Sequence, residues 1–151
     1  MSRTVLSDTS CLILFKKIGQ IELLHQIYEE LTITPEIRDE YKTNLPDWVN
    51  IKPVINHQKI TEYAKIADFG EASLIALAQE VSAPLLLIDD KRGRKLAELL
   101  HIEMTGTLGT LLKAKRKGII KSVKPLLYDL KEINFRISVN LEHYILKKAG
   151  E

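Results

Sequence analysis

Two short apolar runs that each end in aspartate constrain the fold of this chain more than any other feature. The run at residues 4–7 ends at Asp8, and the continuous apolar run at 85–88 ends at Asp89 and Asp90. Unbroken apolar runs of this length are typical of strands that are covered on both faces, as in parallel sheets. Polar residues that follow such strands lie at the sheet edge where open α/β folds bind ligands. The sequence therefore predicts that Asp8 takes part in a functional site.

Helical patterns and further short strands alternate between and after these two runs. Thr34 and Pro35 supply an N-cap and a proline at the first helical position. A strand is predicted at 31–33 and another at 102–105, whereas Pro53 argues against a central strand within 48–55. Residues 68–70 are predicted to end the helix before them. Helices are predicted as a pair within 12–31 separated by Gly19, and at 36–42, 60–67, 71–81, 92–101, 108–118, 125–133 and 138–148.

This alternation predicts an α/β fold with a mostly parallel central sheet and helices on both faces. Right-handed crossovers place the carboxyl ends of parallel strands at one edge of the sheet. Asp8, Asp89 and Asp90 are therefore expected to share that edge. The 151 residues suit a single domain, and no linker or internal repeat divides them.

Composition excludes several classes of protein. The chain is 45% hydrophobic and 28% charged, which is ordinary for a soluble globular protein. No apolar run approaches the roughly 20 residues of a membrane span, and the start of the chain lacks a signal-type segment. The single cysteine, Cys11, excludes an internal disulfide and a cysteine-based zinc site, and its apolar neighbours predict a buried side chain. We expect a cytoplasmic protein without a membrane partner.

Glutamates on two predicted helices add to the aspartates at the sheet edge. Glu40 lies in the helix that begins at Pro35, with Glu36 one turn earlier on the same face. Glu71 follows Gly70 at the start of a strongly apolar helix. A first-turn glutamate also has a purely structural explanation, because an exposed carboxylate there compensates the helix dipole.

Four segments, taken in order, resemble the PIN-domain nucleases, and in particular a prokaryotic branch similar to VapC-type toxins. The resemblance covers about residues 4–118, leaving 125–148 as a C-terminal helical extension. It implies a three-layer, Rossmann-like PIN fold with a sheet of about four to five strands. The segments are Ser-Asp-Thr-Ser at 7–10, Pro-Glu-Ile-Arg-Asp-Glu at 35–40, Gly-Glu-Ala-Ser-Leu-Ile-Ala at 70–76 and Leu-Ile-Asp-Asp-Lys-Arg at 87–92.

The resemblance also implies a pocket of four acids for Mg²⁺ or Mn²⁺. Hard divalent cations prefer oxygen ligands, and without a cation clustered carboxylates would repel one another. The implied activity is that of a metal-dependent endoribonuclease that cleaves RNA as the toxin of a toxin-antitoxin pair. The resemblance also implies a homodimer and a small antitoxin that wraps the C-terminal helices or plugs the acidic pocket. The matching residues are Asp8, Glu40, Glu71 and Asp90 as metal ligands and catalytic residues, with Ser10 and Asp89 in support.

Two departures from the family pattern support an alternative hypothesis. Glu71 stands where many relatives have aspartate, and Ile88 replaces a threonine. A PIN-like scaffold that binds RNA or a partner protein without catalysis is therefore the second interpretation. A phosphoacceptor receiver domain would also end a strand in paired aspartates. In receivers, however, that pair follows the first strand of the fold.

Basic and aromatic residues provide the candidates for contact with RNA. Lys91 and Arg92 follow the aspartate pair and are predicted to contact phosphates. The net charge of +2 is too small to indicate nucleic-acid binding by itself. The cations at 113–117 are interpreted as compensating a helix dipole. For Trp48 and Tyr63, packing is favoured over stacking on a base.

Overall fold

A five-stranded parallel sheet lies at the centre of the computed structural model, which describes residues 3–151. The strands are β1 (Thr4–Ser7), β2 (Leu31–Ile33), β3 (Val49–Ile51), β4 (Pro84–Leu87) and β5 (Glu103–Thr105). Their order in the sheet is β3-β2-β1-β4-β5, with every pairing parallel. β1 is the central strand because it pairs with β2 on one side and β4 on the other. The predicted fold class is confirmed.

Nine helices accompany the sheet within residues 3–151. None of them is long and apolar enough to cross a membrane. The chain builds β1, β2 and β3 towards one side and then returns to add β4 and β5 on the other side, so the strand order reverses between β1 and β4. The helices are α1 (Thr9–Lys17), α2 (Ile21–Tyr28), α3 (Pro35–Tyr41), α4 (His57–Tyr63), α5 (Phe69–Ala78), α6 (Lys91–Leu99), α7 (Thr107–Arg116), α8 (Lys124–Glu132) and α9 (Val139–Lys148).

Helix α5 is the most deeply buried helix next to the sheet. Every residue from Gly70 to Ala78 is buried, as expected for a helix that is apolar all round. It contacts α3, α4 and α6 as well as β1 and β4. A polar side chain on α5 is therefore held in a fixed, poorly hydrated place.

The boundary between α4 and α5 differs from the prediction. Residues 68–70 do not simply end α4, because Phe69 and Gly70 begin α5. Asp68 is the N-cap of α5, and its Oδ1 accepts a hydrogen bond from the backbone N–H of Glu71 at 2.9 Å. An aspartate after a helical pattern marks a helix end or the next N-cap equally well. α4 accordingly ends at Tyr63, four residues earlier than predicted.

The segment 48–55, where Pro53 argues against a central strand, contains the edge strand β3. Val49–Ile51 pairs only with β2 in the described sheet, and Pro53 lies beyond the strand. Proline is compatible with a strand at the edge, where no further ladder has to form. Pro53 correctly argued against a central strand.

The side chain of Glu151 joins the C-terminal helices to the rest of the fold. Its carboxylate accepts hydrogen bonds from the backbone N–H groups of Val123 (2.7 Å) and Lys124 (3.2 Å), and from Lys115 Nζ (3.0 Å). The hydroxyl of Ser122 donates to the same group. Although burial opposes the change, these hydrogen bonds lower the pKa of Glu151 to about 2. The last residue thereby holds the start of α8.

Candidate active site

Asp8 lies at the carboxyl end of the central strand and is almost fully buried. Its backbone N–H continues the sheet ladder by donating to Leu87 O at 3.0 Å. It is also the N-cap of α1, because its Oδ1 accepts a hydrogen bond from Cys11 N at 2.8 Å. The other carboxylate oxygen, Oδ2, is buried and has no hydrogen-bond partner among the described residues. Asp8 thus has one oxygen in a structural role and one without a partner.

Glu71 lies in the first turn of α5 and is only 5% exposed. The alternative of an exposed glutamate that compensates the helix dipole therefore does not describe it. Its Oε1 is buried and, within residues 3–151, receives no hydrogen bond. An unpartnered buried oxygen is costly, which makes Glu71 Oε1 a candidate ligand beside Asp8. Glu36 Oε1 and Tyr41 Oη are also buried without a partner among the described residues.

Glu40 contacts the chain neighbours of these two acids, and the first turn of α6, which follows Asp90, packs against Glu71. Thr9 Oγ1 donates a hydrogen bond to Glu40 Oε1 over 2.6 Å. The carboxylate of Glu40 lies against Gly70, where it occupies the space that a Cβ would need. A Cβ at Gly93 would meet Ile88 Cδ1 first and would lie 3.3 Å from the Glu71 carboxylate carbon.

Asp89 and Asp90 have different surroundings. Both oxygens of Asp89 are engaged by Thr107, through its backbone N–H at 2.9 Å and its hydroxyl at 2.6 Å, and Cys11 Sγ also donates to Oδ2 at 3.3 Å. Asp90 is the N-cap of α6, and its Oδ1 accepts from Arg92 N at 2.8 Å. Because only Oδ1 of Asp90 is used by the described residues, Asp90 has the freer carboxylate of the pair.

The pKa values of the two buried acids are raised. Burial raises the pKa of Asp8 to about 7; the hydrogen bond from Cys11 opposes this rise and the nearby charge of Asp89 adds to it. Burial also raises the pKa of Glu71 to about 8, with further contributions from the charges of Asp68, Asp90 and Asp8. Clustered carboxylates at a buried sheet edge repel one another unless they are protonated or bind a cation.

The acids suit a hard divalent cation by their chemistry. They offer only carboxylate oxygens, and Asp8 Oδ2 and Glu71 Oε1 have no other partner in the described part of the chain. Across residues 3–151, however, no three side chains of Asp, Glu, His or Cys are close enough together to hold one ion as they stand. Binding would therefore require rotation of the outer acids, of which Glu40 is exposed.

Comparison with known protein families accounts for this arrangement. The profile of a family described as a PIN domain matches residues 4–151. The chain belongs to the PIN-domain family. PIN domains are generally nucleases, which hydrolyse phosphodiester bonds, and they generally use divalent metals. Among curated proteins and among solved structures, no match was found.

Other predicted residues of this PIN domain surround the acids or lie apart from them. Lys91 and Arg92 are exposed at the start of α6, and Ser10 is exposed in the first turn of α1. Trp48 stacks on His25 with ring centroids 5.2 Å apart. Tyr63 is buried and donates its hydroxyl hydrogen to Gln79 Oε1 at 2.6 Å. The packing interpretation of both aromatics is confirmed.

The cations at the end of α7 also have structural contacts in the PIN domain. Lys113 Nζ lies over the ring of Tyr28, 4.9 Å from its centroid. Lys117 Nζ donates to the carbonyl oxygen of Ile27 at 3.0 Å. Both contacts place a positive charge at the C-terminal end of α2, where the helix dipole stabilises it.

Sequence reasoning missed several residues that shape the site. Thr9, Gly70 and Gly93 act on Glu40 and Glu71 through contacts between different elements. Thr107 and the Cys11 thiol bind Asp89, so that Cys11 is buried as predicted but also makes a polar contact. The sequence offered one signal for these residues: Thr9 is next to Asp8, and Gly70 is next to Glu71.

Proposed function

We propose that this PIN domain is a metal-dependent endoribonuclease that cleaves RNA phosphodiester bonds with Mg²⁺ or Mn²⁺. The observation that carries the proposal is the pair of buried, unpartnered carboxylate oxygens, Asp8 Oδ2 and Glu71 Oε1, at the carboxyl edge of the sheet. Oxygens of this kind are the ligands that hard divalent cations prefer. Their position also agrees with the general use of divalent metals by PIN nucleases.

Each acid has a distinct role in the proposal. Asp8 and Asp90 bind the cation, and Glu40 and Glu71 complete its ligand set or orient the attacking water. When bound, the cation lowers the pKa of a bound water and neutralises charge on the phosphate under attack. Thr9 holds the Glu40 carboxylate next to Gly70 through its 2.6 Å hydrogen bond.

RNA is the proposed substrate, with Lys91 and Arg92 contacting its phosphates. Both side chains are exposed at the first turn of α6, directly after Asp90. Arg92 Nε lies 3.9 Å from Asp90 Oδ1, which places a cation beside one of the proposed ligands. Phosphate contacts of this kind position a nucleic acid without reading its sequence.

The test compares the wild-type protein with Asp8→Asn in a cleavage assay on a single-stranded RNA. The wild type is expected to cleave in Mg²⁺ or Mn²⁺ and to stop in EDTA, and the variant is expected to lose activity at least about a hundredfold. Asp47→Asn, an exposed aspartate away from the site, is the matched control. Equal cleavage by Asp8→Asn and wild type would show that the activity lies elsewhere. A DNA strand of the same sequence tests the preference for RNA.

A catalytically inactive PIN-like scaffold is the second candidate. Ile88, which stands where relatives have threonine, is fully buried at the end of β4. It therefore supplies no hydroxyl to orient a metal or a water. Folded protein that shows no heat of Mn²⁺ binding in calorimetry would favour this candidate over the nuclease.

We also propose that the protein is a cytoplasmic toxin that forms a homodimer and is inhibited by a small antitoxin. Support for a protein interface comes from exposed apolar side chains on the last helix, such as Val139 and Tyr144. Expression in bacterial cells is expected to arrest growth, and Asp8→Asn is expected to relieve the arrest. Sedimentation of the purified chain tests the dimer, and normal growth during expression of folded wild type would contradict the toxin role.

A further inference from the structure

A groove of about 1060 Å³ opens next to the acids on the side of α7 and α9. Ser10, Asp89 and Asp90 are among its lining residues, so the groove reaches the proposed catalytic edge. Asp8, Glu40 and Glu71 do not line it. The groove therefore adjoins the place of the chemistry without containing it.

The lining of the groove combines apolar surface with positive charge. Leu14 from α1, Leu108 from α7 and Phe135 from the loop between α8 and α9 contribute apolar contacts. Lys91 and Arg136 bring cations to the same space, and both are exposed. A flat apolar surface beside a cation is the combination that binds an unpaired base together with its phosphate.

We infer that this groove binds the unpaired nucleotide next to the scissile phosphate of a single-stranded RNA, an inference that rests on the function proposed above. The base lies against Phe135 and the neighbouring aliphatic side chains. Arg136 and Lys91 contact the adjoining phosphates. The groove thus determines which bond reaches Asp90.

The charge of the groove favours a nucleotide over an apolar peptide as its occupant. Arg94 adds a third cation to Lys91 and Arg136, and its Nη1 is held by Ile88 O at 2.7 Å. The lining also contains two carboxylates, Asp89, which is hydrogen-bonded to Thr107, and Asp90, a proposed metal ligand. Three cations and two carboxylates give the lining a net charge of +1, and the exposed cations Lys91 and Arg136 suit the phosphates of a polyanion.

Asn134 supplies a polar group that suits the edge of a base. It lines the groove and has a left-handed backbone with φ of 68°. Asparagine adopts this conformation at lower cost than most residues. Its side-chain amide offers both a donor and an acceptor, which matches the mixed pattern on the edges of bases.

The first experiment measures how salt changes RNA affinity. Fluorescence anisotropy with a labelled single-stranded RNA in EDTA avoids cleavage and uses the full chain. Arg136→Glu is expected to weaken binding about tenfold or more and to reduce the slope of log K against log salt by about 0.7, the value for one lost contact to a single strand. Lys121→Glu, an exposed cation outside the groove, makes the same change in net charge and is the matched control.

The second experiment tests stacking on Phe135. Phe135→Leu keeps an apolar side chain but removes the aromatic face, and it is expected to weaken binding about fivefold or more. Quenching of a 2-aminopurine base in the RNA should fall with it. Tyr128→Leu changes an exposed aromatic that does not line the groove and should leave both readouts unchanged. Circular dichroism confirms that each variant is folded.

Two outcomes would overturn the inference. Either Arg136→Glu matches Lys121→Glu in affinity and slope, or Phe135→Leu matches Tyr128→Leu. In both cases the groove would be interpreted as a binding site for a protein.

Cleavage assays in Mn²⁺ separate failure of this inference from failure of the proposed function. Wild type that binds RNA through the groove without cleaving it contradicts the nuclease alone. Cleavage with unchanged KM in the groove variants contradicts the groove alone.

Discussion

Thr9 shows how a residue without a charge can determine the geometry of an acidic site. Its hydroxyl donates to Glu40 Oε1 over 2.6 Å and keeps the exposed carboxylate next to Gly70. Thr9→Val keeps the shape of the side chain but removes the donor. A hydrogen bond to a charged group contributes about 1.5–3 kcal/mol, so kcat/KM is expected to fall at least about tenfold.

Thr9→Ser is the control for this prediction, because serine keeps the hydroxyl. It should retain most of the activity, and its affinity for Mn²⁺ in calorimetry should match the wild type. Unchanged kcat/KM and Mn²⁺ affinity in Thr9→Val would show that Glu40 does not need this hydrogen bond.

Gly70→Ala should lower the cleavage activity without lowering the stability of the protein. Alanine is favoured over glycine in a helix by up to about 1 kcal/mol, and the Glu40 carboxylate that occupies the space is the end of a flexible side chain. We expect unfolding in urea to be little changed while cleavage falls about tenfold, because Glu40 is displaced. In a Glu40→Ala background the same change at Gly70 should have no further effect. A further loss of activity there would contradict the contact as its cause.

The raised pKa values of Asp8 and Glu71 predict a pH dependence of the metal-free protein. The unfolded chain loses these protons near pH 4, whereas the folded protein keeps them to about pH 7 and about pH 8. Between these limits the folded state binds more protons, so the free energy of unfolding falls as pH rises, by at most about 1.4 kcal/mol per pH unit and group.

Urea unfolding in EDTA between pH 5 and pH 8.5 measures this dependence. Asp8→Asn and Glu71→Gln should each give a shallower fall, and Asp47→Asn should behave like the wild type. Slopes that are equal in all four proteins would show that the two acids ionise as easily in the folded protein as in the unfolded chain.

At the scale of elements, Glu151 connects α8 to the end of α9. Glu151→Ala removes hydrogen bonds to Val123 N and Lys124 N and the pairing with Lys115. Loss of an acceptor for N–H groups at a helix start costs about 1–2 kcal/mol. Hydrogen exchange should therefore quicken in α8 and α9 while β1 and β4 remain protected. Glu132→Ala, an exposed residue at the end of α8, should leave these rates unchanged.

Elements with a local chemical signal could be predicted, and those defined by distant partners could not. Thr34 and Pro35 begin α3 as predicted, because the cap and the proline act within a few residues. β3 is a strand because β2 lies beside it, and three residues carry little pattern of their own. Asp68 was misread because its role as N-cap of α5 depends on which side of it the chain becomes helical.

At the scale of the whole molecule, binding of a cation to the folded state should raise its thermal stability. A ligand at about 100 times its dissociation constant adds about 2.7 kcal/mol, which is about 5–10 °C in Tm for a chain of this size. Mn²⁺ is therefore expected to raise Tm in the wild type and in Asp47→Asn. The rise should be largely absent in Asp8→Asn, and an equal rise in all three would place the bound ion elsewhere.

Much of the candidate site was predictable, because each of the four acids lies in a recognisable segment and the four segments occur in a fixed order. Strand ends at one sheet edge bring Asp8 and Asp90 to the same side of the fold. The contacts of Thr9, Gly70 and Gly93 depend on packing between helices and leave no trace in local sequence. The groove was not predictable for the same reason, since its walls come from both ends of the chain.

The central place of β1 determines when the site can appear during synthesis. β1 is made first, yet its partner Pro84–Leu87 is separated from it by about half of the chain, and pairings of this kind form late. Until β4 has left the ribosome, Asp90 has no fixed place beside Glu71 and one side of β1 stays open. A PIN domain of this topology thus completes its acidic edge only after most of its own translation is over.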